Sequence, residues 1–315
     1  MLKAKGEFFG LCALSLISIC LFACNNGSNS VFGSNKLDSL VEEIHEKMAP
    51  RPVLHDKWDS LKRNQIVFKV DTLHPVDIKT QKQKLKDSLR REFDKKPKHV
   101  YLTFDDGPLV GSKAIDSLAK AKNIKVNVFV VGRHADMGKG RMNDLKRYID
   151  NPLVAVYNHS YTHGYNRIQA FYSDSQKAFD DFKKNEATIA LKSKIARLPG
   201  RNIWMYEDKK KVDLKNALAT AEKLFADSYK IYGWDVEWRL KSPTGEPFVP
   251  MNTVYSRMVN LMDNKMSQEP NNVVFLMHDD MFQTKKGQKF LSDFIDSLIA
   301  KDYKFEFMDD YPIKY

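Results

Sequence analysis

The chain has 315 residues, 43% hydrophobic and 29% charged, with 51 Lys and Arg against 40 Asp and Glu for a formal charge of +11. That balance belongs to a globular protein, and it excludes a chain too polar to bury a core. The three cysteines, Cys12, Cys20 and Cys24, all lie within the first 24 residues, which excludes a disulfide framework and a thiolate metal site in the rest of the chain.

Lys3 and Lys5 precede an apolar run over residues 8–23. The run is too short and wrongly flanked for a stable membrane span but suits a secretory signal. It closes on Leu21-Phe22-Ala23-Cys24, which resembles the lipobox of bacterial lipoproteins. The resemblance implies a signal peptide over residues 1–23 and a lipidated Cys24 that holds the mature chain on a membrane of the bacterial envelope. Asn25-Asn26-Gly27-Ser28-Asn29-Ser30 reads as a polar tether. For an envelope protein, the positive charge points to phosphorylated lipids or acidic glycans rather than nucleic acid. No protein partner is expected.

Leu37, Leu40, Val41, Ile44 and Met48 recur at helical spacing until Pro50 and Pro52 stop them. A short strand is expected over residues 66–70. The basic stretch 79–98 carries Lys82, Lys84, Lys86, Arg90, Arg91, Lys95 and Lys96 against Asp87, Glu92 and Asp94, and reads as a solvated helix face. Residues 24–97 form an accessory extension, and the catalytic domain is expected over 98–315. There, strand-like runs at 100–104, 126–131, 153–157, 195–198, 231–235, 273–277 and 305–308 alternate with helical patterns at 113–121, 175–191, 211–226, 253–262 and 288–300. Such alternation indicates βα units around a parallel sheet, closed or nearly closed.

Two motifs carry chemistry. Thr103-Phe104-Asp105-Asp106-Gly107-Pro108 ends the first of these strands, and His159-Ser160-Tyr161-Thr162-His163 follows the third. Alone, the first is ordinarily a turn and the second a surface or core histidine pair. Together they supply two imidazoles from one side of a turn, a carboxylate to complete a three-ligand metal set, and a second carboxylate free to act as a base. Every candidate residue falls at the C-terminal end of an expected strand, where parallel α/β barrels place their sites.

These motifs resemble those of the NodB-homology polysaccharide deacetylases, carbohydrate esterase family 4. Three further runs follow in the family's order: Arg197-Leu198-Pro199-Gly200, Trp234-Asp235-Val236-Glu237-Trp238 and Leu276-Met277-His278. The resemblance implies a distorted, often incomplete (β/α) barrel of seven or eight strands. It implies Asp106, His159 and His163 as metal ligands, with zinc the default and another divalent transition metal an alternative. Asp105 is the expected general base and Arg197 the residue that orients it. His278 is the expected general acid for the leaving group, since amine expulsion needs a proton. A carboxylate behind His278 comes from the fourth motif, where Asp235 and Glu237 compete because the spacing before Trp238 is short; Asp235 is favoured.

Trp204, Trp234, Trp238 and Tyr161 are candidates for sugar contact, with core packing their ordinary role. After Pro199 the family often has an aromatic residue whose N–H binds the oxyanion, whereas this chain has Gly200-Arg201-Asn202. The expected reaction is metal-dependent removal of N-acetyl groups from an amino-sugar polysaccharide of the envelope. O-deacetylation of an acetylated xylan, a catalytically silent glycan-binding lipoprotein and an iron oxygenase are the alternatives.

Overall fold

The computed structural model describes residues 34–48, 75–241, 244 and 246–315. The signal segment, Cys24, the tether and the strand expected over 66–70 lie outside the described residues. No helix among the described residues is long and apolar enough to cross a membrane.

Two helices, α1 (Ser34–Met48) and α2 (Pro75–Asp94), precede the sheet. They meet through Leu37 and Val41, both buried. Lys82 and Lys86 of α2 pair with Glu42 and Asp38 of α1, so part of the basic face is an ion-paired seam. Arg90 fastens α2 to the rest of the molecule by donating to the Asp263 carbonyl and to Asn264 Oδ1.

Strands and helices then alternate: β1 (His99–Gly107), α3 (Ser112–Lys122), β2 (Val126–Val130), α4 (Gly132–Ala135), α5 (Lys139–Asp150), β3 (Val154–Asn158), α6 (Ile168–Phe171), α7 (Ser175–Ile189) and β4 (Ile195–Ala196). A hairpin of β5 (Ile203–Tyr206) and β6 (Lys209–Val212) leads to α8 (Leu218–Ala226), β7 (Lys230–Ile231) and β8 (Val236–Glu237). A small hairpin of β9 (Leu240–Lys241) and β10 (Glu246–Pro247) precedes α9 (Met251–Asp263), β11 (Asn272–His278), α10 (Lys285–Ile299) and β12 (Lys304–Phe305).

The main sheet runs β6-β5-β7-β4-β3-β2-β1-β11-β8, with β12 paired to the start of β1. The strands from β7 to β8 in this order are parallel, and the β5–β6 hairpin is antiparallel to its neighbours. Only residues 232–235 separate β7 from β8, although these strands lie toward opposite ends of the sheet. A link of that length spans at most about 18 Å, so the sheet has to curl. Backbone bonds from Tyr232 N to the Ala196 carbonyl and from Asp235 N to the Val274 carbonyl fasten the link's two ends. The result is the expected distorted, incomplete α/β barrel.

Two local expectations need correction. Residues 211–226 are not one helix, because Lys209–Val212 forms β6 and helix begins only with a 3-10 turn at Lys215–Ala217. Every residue of β5 is buried, so its backbone groups need a ladder partner, which β6 supplies. The strand expected over 231–235 ends at Ile231, and the chain crosses to the far end of the sheet before β8 begins.

Alternation along β1 divides the core. Val100, Leu102 and Phe104 pack outward in the cluster that holds Ile115, Leu145 and Phe294 of the surrounding helices. Tyr101 faces inward with Phe129, Tyr157, Trp204 and Tyr232. The period of two puts Thr103 and Asp105 on this inner face as well.

Candidate metal centre and active site

Neighbouring residues of a regular strand point to opposite faces, so an unbroken β1 would send Asp105 inward and Asp106 outward. The register against β2 shifts between Asp105 and Gly107, and Asp106 has a φ of 70°. This bulge turns both carboxylates to one side. His159 Nε2 then stands 3.6 Å from Asp105 Oδ2 and 3.5 Å from Asp106 Oδ1. His163 Nε2 is 3.3 Å from the same Asp106 oxygen.

The candidate ligand atoms of Asp106, His159 and His163 all lie within 4.8 Å of one another. Two atoms bound about 2.0–2.1 Å from one tetrahedral ion stand about 3.4 Å apart, and the Nε2–Oδ1 separations of 3.5 and 3.3 Å fit that figure. Asp106 Oδ1 is buried with no hydrogen-bond partner, a costly condition for a carboxylate unless a cation completes it. The far nitrogens of both rings are tethered: His159 Nδ1 to the Arg197 carbonyl at 2.9 Å and His163 Nδ1 to Asn166 Oδ1 at 3.0 Å. Both Nε2 atoms are thereby aimed at one point, the arrangement that orients metal-binding histidines. Burial resists ionisation of Asp106, yet the contact with His159 and the charges of His163 and His278 outweigh it and hold the carboxyl well below its usual range. These residues fit a divalent cation.

Asp105 is buried, and Arg197, fully buried, crosses the barrel to reach it. Arg197 Nη1 donates to Asp105 Oδ1 at 2.9 Å and to Thr103 Oγ1 at 2.7 Å, while Nε and Nη2 donate to the carbonyls of Tyr232 and Gly233. Its guanidinium also lies 4.3 Å from the centre of the Phe129 ring. This set fixes Asp105 Oδ1 and leaves Oδ2 toward the histidines. His278 ends β11 in register with Asp105. It alternates in phase with the inward Val274, so its ring enters the same space.

Asp235 is not brought to His278. Its two oxygens accept from the backbone N–H groups of Gln268 and Val274. Val274 lies four residues before His278 on β11, a rise of about 13 Å, because Asp235 sits at the entry to β8 rather than at the end of a strand. Glu237 pairs with Arg239 instead, and His278 Nδ1 is buried without a partner. Among the aromatic candidates, Trp204 and Trp238 are core residues. Trp234 is half-buried, held by paired hydrogen bonds to Asn202, and its ring centre is 5.9 Å from the Arg197 guanidinium.

Sequence reasoning missed three residues of this neighbourhood. Asn166, which anchors His163, follows the second motif by three positions, and that short distance was the available signal. Replacing it with Gly keeps the left-handed backbone at φ 60° and removes only the amide. Metal affinity of Asn166→Gly is expected to fall about 10–100-fold, read by competition with a chromogenic chelator; unchanged affinity would dismiss the anchoring role. Asp280, two residues beyond His278, has a buried oxygen without a partner and feels the charges of Asp106 and His278.

The third residue is Asp279, fully buried, which accepts from Gly111 N, Ser112 Oγ and Tyr148 OH and so ties the turn after β1 to the end of β11. Burial pushes its carboxyl up to about 6 against these donors. An acid held this way binds its proton more tightly folded than unfolded, so its contribution to stability is present below about pH 4 and is lost as pH rises to about 6. Relative to Asp279→Asn, the metal-free wild type is expected to lose roughly 2–3 kcal/mol of unfolding free energy between pH 4 and 7. Urea titrations of both proteins across that range check this, and a constant difference would count against it.

A protein-family model for polysaccharide deacetylases matches residues 93–200, the stretch from β1 through Arg197. A chitin disaccharide deacetylase from Vibrio alginolyticus is 23% identical over 304 residues, covering 67% of this chain and 71% of that protein. Among solved structures, a CE4 esterase from Streptococcus mutans matches with a TM-score of 0.51 at 19% identity, over 69% of this chain and 89% of the other. The catalytic domain of a peptidoglycan N-acetylglucosamine deacetylase from Eubacterium rectale matches with a TM-score of 0.50 at 22% identity, over 70% and 93%. The two structural likenesses speak for the fold, and the family model covers both leading motifs. Over residues 93–200 the chain is thus similar to the polysaccharide deacetylases, and its fold is similar to that of the solved carbohydrate esterase family 4 structures.

Proposed function

We propose that this protein is a zinc-dependent deacetylase that hydrolyses N-acetyl groups of an amino-sugar polysaccharide in the bacterial envelope, releasing acetate. The observation that carries this reading is the convergence of Asp106, His159 and His163 on one unpartnered carboxylate oxygen, with Asp105 and His278 on neighbouring strands beside it. A bound divalent cation supplies Lewis acidity that polarises the acetyl carbonyl and makes water easier to deprotonate.

The remaining roles fall to the chain's own groups. Asp105 Oδ2 takes a proton from the attacking water, while Oδ1 stays bonded to Arg197. His278 gives a proton to the sugar nitrogen as the C–N bond breaks, so the amine leaves neutral and the acetyl carbon departs as acetate. Arg197 touches neither water nor sugar in this scheme and acts by holding Asp105 in place. The Trp234 ring lies beside that pair, its centre 5.9 Å from the Arg197 guanidinium.

The substrate assignment follows from compartment. Lipidation at Cys24 would anchor the chain to the envelope, where peptidoglycan is the most abundant N-acetylated glycan. The Cys24→Ser chain should then leave the membrane fraction, and a variant still sedimenting with membranes would remove the anchor from the proposal. The activity is tested on protein lacking residues 1–24, by acetate release from N-acetylglucosamine oligomers, peptidoglycan and acetylated xylan after chelation and after zinc is restored. Release from the first two that needs zinc supports the reading. Release from xylan alone would replace it with an ester-cleaving one, and no release by protein carrying one equivalent of metal would replace it with glycan binding.

A further inference from the structure

The loops that follow β2 and β3 build one wall beside the candidate metal centre. They are tied to each other and to the site at several points. His134 Nδ1 lies 2.6 Å from the Asp106 carbonyl, and Arg133 N donates to the Tyr161 carbonyl at 2.9 Å. Gly132 allows this approach, since a Cβ there would meet Asn185 Oδ1 at 2.4 Å and Tyr161 Cδ2 at 2.7 Å.

On this wall sits an aromatic residue in an expensive position. Tyr165 is 54% exposed and lies between His163 and Asn166, the ligand and its anchor. All four residues from His163 to Asn166 have left-handed backbone, with φ values of 53°, 58°, 50° and 60°. For a bulky side chain that conformation costs on the order of 1 kcal/mol or more, and such strain collects at functional sites. Among the described residues, no core cluster includes the Tyr165 ring.

The Arg133 guanidinium lies 4.7 Å from the ring centre. Arg133 is exposed, and no carboxylate lies within ion-pair distance of it among the described residues. Lys184 repeats the pattern on the same wall, with Nζ 3.7 Å from the centre of the Tyr161 ring and no carboxylate partner among the described residues. The acid between them, Asp136, accepts the Tyr161 hydroxyl at 2.6 Å. A guanidinium held against a ring presents its N–H edge outward in the planar fork that matches a carboxylate.

We propose that Arg133, held by Tyr165, is a subsite for a carboxylate of the substrate, carried on a saccharide unit adjoining the one that loses its acetyl group. The substrate class is then an acidic N-acetylated glycan rather than a neutral chitin-like or xylan-like chain. This inference rests on the deacetylase reading for the identity of the ligand as a glycan.

The test uses one acidic N-acetylated oligosaccharide and the same compound with its carboxyl reduced to the alcohol. Calorimetric affinities are measured on metal-free and zinc-loaded protein, with kcat/KM for both compounds alongside. The acid form should bind roughly tenfold more tightly at low salt, the worth of one exposed charge-assisted pair. Arg133→Gln should erase that preference, and Tyr165→Ala should weaken it by freeing the guanidinium. Arg91→Gln, an exposed cation on α2, should leave the preference intact. Equal binding of the two compounds, a preference that survives in Arg133→Gln, or an equal loss in Arg91→Gln would overturn the subsite. Because affinity is read without turnover, absence of acetate release would count against the deacetylase reading and leave the subsite result standing on its own.

Discussion

Asp105→Asn is expected to abolish most acetate release while the protein stays folded and keeps its metal. Asparagine still offers Oδ1 to Arg197 Nη1, whose bond to Asp105 measures 2.9 Å, and the ligand trio of Asp106, His159 and His163 is untouched. What disappears is the basic Oδ2 facing His159. Loss of a positioned base lowers kcat by about 10²–10⁴, with KM little changed because no binding contact is removed. Initial rates, metal content by mass spectrometry and a thermal melt on the same preparation check all three parts. A variant retaining a tenth of the wild-type kcat would remove Asp105 from the role of base.

The largest effect on stability is expected from Arg197. Replacing it with Met keeps much of the volume against Phe129 but strands a buried carboxylate and takes a donor from two carbonyls at once, while the Thr103 hydroxyl keeps only its bond to the Phe275 carbonyl. Removing one partner of a buried ion pair typically costs about 3–5 kcal/mol, and Arg197→Met should lose at least that in a urea titration. Arg197→Lys should not recover it, since an ammonium cannot serve the fork of Nη1 and Nη2 together with Nε. A midpoint within experimental error of wild type in either variant would show that Asp105 is not held by this residue.

The sequence made the chemistry more legible than the geometry. Asp105, Asp106, His159, His163 and His278 are contiguous in short runs, so residue type and order alone point to them. How Asp105 and Asp106 reach one cavity is not readable there, because the bulge depends on the pairing of β1 with β2. Asp235 misled for a related reason: its distance from Trp238 is local, whereas its partner is set by where the chain enters β8 and which rung of β11 it meets. The three lysines of β6 look like a helix face in isolation, and only the buried edge of β5 explains why they form a strand. Asp279 acts through contacts that no spacing rule describes, reaching Ser112 and Tyr148 from far along the chain.

Asp105 and His278 occupy facing rungs of two parallel strands. Their spacing is therefore ruled by the backbone ladder, about 4.8 Å per strand, and not by any loop. The proposed proton acceptor and donor thereby form a fixed-gauge pair at the floor, while the features proposed to choose a glycan, Tyr165 and Arg133 among them, sit on the connections above. Changes in those connections can alter what the enzyme accepts without altering the gauge, and a lineage can change substrate while the distance its proton transfers span stays the same.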